Sequence, residues 1–87
     1  MNLKDKTVVV TGGARGIGKA LSQAFSDQGA RVVVADILAE ETSETAAAIS
    51  GLAVTCDVSR EEDIQQLVIA AESAYGPIDL FCSNAGI

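Results

Sequence analysis

The residues best placed to do chemistry are three glycines, Gly12, Gly16 and Gly18, in the stretch TVVVTGGARGIG from Thr7 to Gly18, with a further glycine at Gly13 and a cation at Arg15. A glycine has no Cβ, so a bulky anion can come close to its backbone. Thr7 to Thr11 are all β-branched around the apolar run Val8 to Val10, which predicts a strand buried on both faces. From Ile17 onward, Ile17, Ala20, Leu21, Ala24 and Phe25 follow helical spacing. The glycines therefore sit between a buried strand and a helix N-terminus, where free N–H groups and the positive end of the helix dipole suit a phosphate or diphosphate. The spacing G-x-x-x-G-x-G differs from the commonest dinucleotide fingerprint, G-x-G-x-x-G. Taken alone it fits equally a tight strand–helix turn with no ligand.

Three further positions follow strand-like runs. Asp36 closes the second such run, and an acid at this distance from the glycine turn can accept hydrogen bonds from the ribose hydroxyls of NAD while repelling the extra phosphate of NADP. It reads otherwise as a turn or cap aspartate. Asp57 and Val58 close the third run, where Asp57 could also simply shape the turn before Ser59. Asn84-Ala85-Gly86 closes the fourth and is, by itself, a common turn triplet. Tyr75 falls on an apolar helix face and reads as packing. With no histidine and two cysteines, Cys56 and Cys82, a zinc site and a histidine-dependent nucleophile are both disfavoured. No metal ligands and no catalytic residues are assigned to this chain.

These motifs together resemble the short-chain dehydrogenase/reductase family. TGGARGIG matches its Thr-Gly-x-x-x-Gly-x-Gly turn, and Asn84-Ala85-Gly86 matches its Asn-Ala-Gly triplet, with Ser83 where many members have a second Asn. The resemblance covers Lys4 to Ile87. It implies a cofactor site formed by Gly12, Arg15, Gly16, Ile17, Gly18, Asp36, Asp57, Val58, Asn84, Ala85 and Gly86. Within it, Asp57 and the Val58 N–H would hold adenine, and the Asn84 triplet would lie under the adenosine ribose. Arg15 is similar to a basic residue of NADP-preferring members, whereas Asp36, followed by Ile37 rather than an arginine, favours NAD. We let the charge at the ribose decide, and expect NAD. The family's catalytic Tyr-x-x-x-Lys has no counterpart, because Asp79 stands four residues after Tyr75 and no lysine follows Lys19.

The elements that must position these residues alternate as βαβαβαβ, which implies a parallel sheet with right-handed crossovers. The expected strands are Thr7 to Thr11, Arg31 to Ala35 ending at Asp36, Leu52 to Cys56, and Ile78 to Ser83. The expected helices are Arg15 to Gln28, Ala39 to Ile49 with an apolar face of Ala46, Ala47 and Ile49, and a third stopped by Gly76-Pro77. Ser59 with Glu62 reads as a capping box for this third helix, whose buried face is Ile64, Leu67, Val68, Ala71 and Tyr75. A dinucleotide-binding arrangement puts the strands in the order 3-2-1-4, with Cys56 and Cys82 about 14 Å apart, too far for a disulfide.

Composition bounds the partners. Hydrophobic residues make up 48% of the 87 and aromatics 3%, so the core is aliphatic. A net charge of −6 without a basic run argues against nucleic acid and anionic membrane. No apolar run approaches the ~20 residues of a bilayer span, and MNLKDKT lacks a signal-peptide core, so a reducing cytoplasm is expected. The expectation is thus a truncated doubly wound α/β fold, residues 1–87 being the N-terminal cofactor-binding part of one Rossmann-fold domain without its catalytic half. The parent would act on an alcohol or carbonyl, as a homo-oligomer, and this chain alone would be inactive. A non-catalytic nucleotide-binding or scaffold module, and an S-adenosylmethionine-dependent methyltransferase fragment, are the alternatives.

Overall fold

The computed structural model describes residues 2–84. Its elements are β1 (Thr7–Thr11), α1 (Gly16–Asp27), β2 (Arg31–Asp36), α2 (Ala39–Ala48), β3 (Leu52–Thr55), α3 (Glu61–Tyr75) and β4 (Leu80–Ser83). The four strands form one parallel sheet in the order β3-β2-β1-β4, a Rossmann-type half as the alternating pattern requires. β1 lies inside, with Val9 opposite Val33 on one side and Phe81 on the other. Side chains alternate across a strand, so each face takes every second residue. Val8, Val10, Val32 and Val34 pack with Phe25, Ala46 and Ile49 of the α1–α2 layer. Val9, Val33 and Ala35 pack with Leu67, Ala71 and Tyr75 of the α3 layer. Cys56 belongs to the α3 layer and Cys82 to the other, and both are free thiols.

The helices depart from the sequence reading in which residues they bury. On α1 the expected stripe is largely outward: Ile17 is 67% exposed, and Ala20 and Ala24 are exposed, while Gly18 and Ser22 are buried. The helix comes so close to the strand–helix turn that only a residue without a Cβ fits at position 18. Ser22 is tolerated inside because its hydroxyl donates to the Gly18 carbonyl at 2.9 Å. α2 likewise buries Thr42, Thr45 and Ala46 rather than Ala47, which is exposed. Thr42 Oγ1 donates to the Leu38 carbonyl at 2.6 Å and Thr45 Oγ1 to the Ala14 carbonyl at 3.2 Å, which leaves their methyl groups to pack.

The capping box on Ser59 does not form. Arg60 is the N-cap of α3, and Ser59 turns its hydroxyl to Asp57 instead. Asp63, three residues into the helix, performs the backward reach by accepting the Asp57 N–H at 2.9 Å. β4 begins at Leu80 rather than Ile78, although Ile78 still packs on the α3 layer. The start of β1 is tied to this segment through Asp79, whose carboxylate accepts the Thr7 N–H at 2.8 Å and whose own N–H donates to the Thr7 carbonyl at 2.9 Å. Among the described residues no helix is long and apolar enough to cross a membrane.

Candidate functional site

The C-terminal ends of the four parallel strands share one edge of the sheet, so the topology collects the β1–α1 turn, Asp36, Asp57 and Asn84 there. The turn needs glycine for two different reasons. Gly12 and Gly16 have φ of +65° and +56°, the left-handed region that disfavours a Cβ. Gly18 is needed for space, since a Cβ there would overlap the Gly12 carbonyl and stand 2.7 Å from Asn84 Nδ2. Around Gly16 nothing lies within 4 Å of the place a Cβ would occupy, so its bare backbone faces open space. The Arg15 side chain makes no cap hydrogen bond to α1, and no acidic residue stands in its first turn. The leading N–H groups of α1 keep their capacity for an outside acceptor. An open glycine backbone joined to an uncapped helix start fits a diphosphate group.

Asp36 does two jobs at once. Its Oδ2 accepts the Ala14 N–H and its Oδ1 accepts the Leu38 N–H, each at 3.2 Å, so the carboxylate ties the glycine turn to the entry of α2. The turn-forming alternative for this residue is therefore realised, yet each carboxylate oxygen retains a second acceptor site. Arg15 does not stand free: its Nε donates to Glu41 Oε2. Ile17, assigned to the turn, is exposed.

Between the ends of β2 and β3 lies a cavity of about 100 Å³, lined by Gly12, Asp36, Ile37, Cys56, Asp57 and Val58. That volume is well below the ~300 Å³ of a whole ligand pocket and matches a subsite for one ring. Burial first, then the charges of Asp63 and Asp57, push the Cys56 thiol up, so it remains a packed thiol rather than a nucleophile.

Asp57 is shaped by its turn. Its Oδ1 accepts both the Ser59 hydroxyl, at 2.6 Å, and the Ser59 N–H, at 2.9 Å. Those two bonds, the hydroxyl's first, hold its carboxyl below the usual carboxylate range. Because the folded value is the lower one, the stabilisation is present above the unfolded value of about 3.9 and is lost as pH falls through the folded one. Ser59→Ala should move the Asp57 titration in carbonyl-detected NMR upward toward the ordinary value. No upward movement would show that the hydroxyl does not depress it.

Asn84 braces the turn from the far side: its N–H donates to Thr11 Oγ1 at 3.1 Å and its Nδ2 donates to the Gly12 carbonyl at 3.3 Å. Ala85 and Gly86 lie outside the described residues. Tyr75 packs in the α3 layer, away from this edge, in keeping with a structural role. Among the described residues no cluster of side chains could hold a metal ion. Two contacts were not legible in the sequence, Glu41 on Arg15 and Thr45 on Ala14, each joining α2 to the glycine turn. For Glu41 the only signal was an acid pair at a helix start, which reads as dipole placement, and for Thr45 there was none.

The chain is similar to known proteins over nearly its whole length. The family described as short chain dehydrogenase matches residues 6–87. The chain is 45% identical over 85 residues to Short-chain dehydrogenase reductase ATA1 of Arabidopsis thaliana, covering 98% of this chain and 31% of that protein. It is 46% identical over 88 residues to Sex determination protein tasselseed-2 of Zea mays, covering 98% and 26%. It is 40% identical over 89 residues to an NAD-dependent glycerol dehydrogenase of Listeria innocua, covering 99% and 35%. The chain thus spans about a third of the length of these relatives, or less. The methyltransferase alternative finds no support among these matches. With the glycine turn, the strand-end acids and the 3-2-1-4 sheet in one structure, and a family match across nearly its whole length, the chain belongs to the short-chain dehydrogenase family.

Proposed function

We propose that this chain forms the cofactor-binding part of an oxidoreductase that moves hydride between NAD(H) and an alcohol or carbonyl compound, with NAD preferred over NADP. The observation that carries the preference is Asp36, whose carboxylate is held by two backbone amides beside the glycine turn. In this reading Gly12, Arg15, Gly16, Ile17 and Gly18 surround the diphosphate, and Asp36 receives the adenosine ribose. Asp57 and Val58 flank the adenine in the small cavity, and Asn84 braces the turn through Thr11 and Gly12; the triplet Asn84-Ala85-Gly86 is assigned to the adenosine ribose by its motif alone. The bound cofactor supplies the hydride chemistry, and the protein supplies binding and orientation. The proton-transfer pair of the family, Tyr-x-x-x-Lys, does not occur in these 87 residues. We therefore assign no catalytic residue here, and expect no turnover by this chain alone.

Calorimetric titration with NAD+ and NADP+ tests the preference. NAD+ should bind more tightly, and Asp36→Ala should bring the two affinities together. A like charge set against the 2′-phosphate in this partly solvated site should cost about 2 kcal/mol, roughly a thirtyfold difference. Equal or tighter binding of NADP+ by the unaltered chain would overturn the assignment.

A further inference from the structure

Between α1 and α2 runs a groove of about 320 Å³ that begins at the glycine turn, and Arg15, Lys19, Glu41 and Glu44 all line it. Arg15 is the residue next to Ala14, whose N–H is bonded to Asp36, so the fold brings this cation to the ribose acid although 21 positions separate them in sequence. A free guanidinium at this point would attract a phosphate carried on the ribose and would oppose Asp36. The guanidinium is instead paired with Glu41, which approaches from α2, 26 residues along the chain. The side chains are 70% and 39% exposed, so the partner is not imposed by burial. Glu41 and then Asp36 also keep Arg15 more firmly protonated than usual, as expected of a cation facing two carboxylates.

We propose that Glu41 is a positioning residue for cofactor choice: it engages the Arg15 guanidinium and withholds it from a 2′-phosphate, so that Asp36 sets the preference unopposed. This rests on the cofactor reading above and adds a residue to it. Glu41 acts through Arg15 and need touch no ligand itself. Arg15 is thereby neutral in its net effect on the ribose end while remaining available to brace the turn against α2.

The test is calorimetric binding of two small probes, 5′-AMP and adenosine 2′,5′-bisphosphate, together with NAD+. Glu41→Gln should raise affinity for the bisphosphate about two- to fivefold relative to 5′-AMP, the range expected for releasing one partner of an exposed ion pair. The gain should shrink in high salt. In an Arg15→Ala background the same Glu41→Gln change should leave the ratio of the two affinities unmoved. A loss of structure would weaken both probes together and leave the ratio alone, and melting of each variant checks this separately. If the unaltered chain binds NAD+ and 5′-AMP but Glu41→Gln does not shift the ratio, the role of Glu41 is wrong and the cofactor reading stands. If the shift persists without Arg15, Glu41 acts by direct repulsion and the positioning role is wrong. If neither NAD+ nor 5′-AMP binds, the cofactor reading fails and takes this inference with it.

Discussion

Gly18→Val should abolish measurable dinucleotide binding and lower the melting temperature by 10 °C or more. A Cβ at position 18 already overlaps the Gly12 carbonyl and crowds Asn84 Nδ2, before the two methyl groups of valine are added. The obstacle is backbone, so no rotamer change relieves it, and α1 must move away from the turn. Valine is slightly the better helix former, by at most about 0.5 kcal/mol. Overpacking of this kind costs about 1–3 kcal/mol or more and prevails. In a chain of this size each kcal/mol corresponds to about 4–8 °C. Gly16→Ala separates binding from folding, because its added Cβ meets nothing within 4 Å. The strain of a left-handed alanine is confined to a surface turn and should cost about 1–2 kcal/mol, while the methyl group stands on the open side proposed for the diphosphate. Calorimetry should show NAD+ binding weakened in Gly16→Ala with most of the fold retained. Undiminished affinity in that variant would remove the phosphate role from the turn.

How much of this was readable from sequence depended on whether the controlling interaction was local. The strands were readable because Thr7 to Thr11 and Arg31 to Asp36 carry β-branched runs that are buried on both faces. The positions of the strand-end acids followed from the strands. The buried face of α1 was only partly readable from hydrophobicity: Phe25 packs inward as its spacing suggests, but the close approach of α1 to the glycine turn selects for absence of bulk at its start. Gly18 and Ser22 occupy that face, and Ile17 is displaced outward. Ser22, Thr42 and Thr45 look solvent-facing by composition, and become interior residues only because each hydroxyl finds a carbonyl. The start of α3 was misassigned for a related reason. Asp57 offers Ser59 a charged acceptor two residues away, and a charge-assisted bond outcompetes a cap on a neutral N–H. The Arg15–Glu41 pair spans 26 residues, and no pattern within either helix announces it.

The purified 87-residue chain should self-associate with rising concentration and melt over a broad range. β4 pairs only with β1 among the described residues, which leaves its other side as a free edge. Its sequence, Leu80-Phe81-Cys82-Ser83, carries no charge and no proline, the devices that ordinarily protect such an edge. Phe81 sits opposite Val9 on the face that α3 covers, yet remains 39% exposed. On the same layer Ile69 of α3 is 55% exposed, and on the opposite layer Ile17, Ala20 and Ala24 of α1 add to the apolar surface. A free edge and uncovered apolar residues on both layers favour a second copy pairing along β4, which would complete the ladder and bury Phe81 together. Phe81→Lys should oppose this by placing a charge where the second strand would dock, and should shift the sedimentation profile toward monomer without loss of the βα core. Edge pairing would be disproved by a monodisperse monomer at all concentrations, or by association that Phe81→Lys leaves untouched. A sharp, cooperative melt of that monomer would further show that α3 alone shields its face of the sheet.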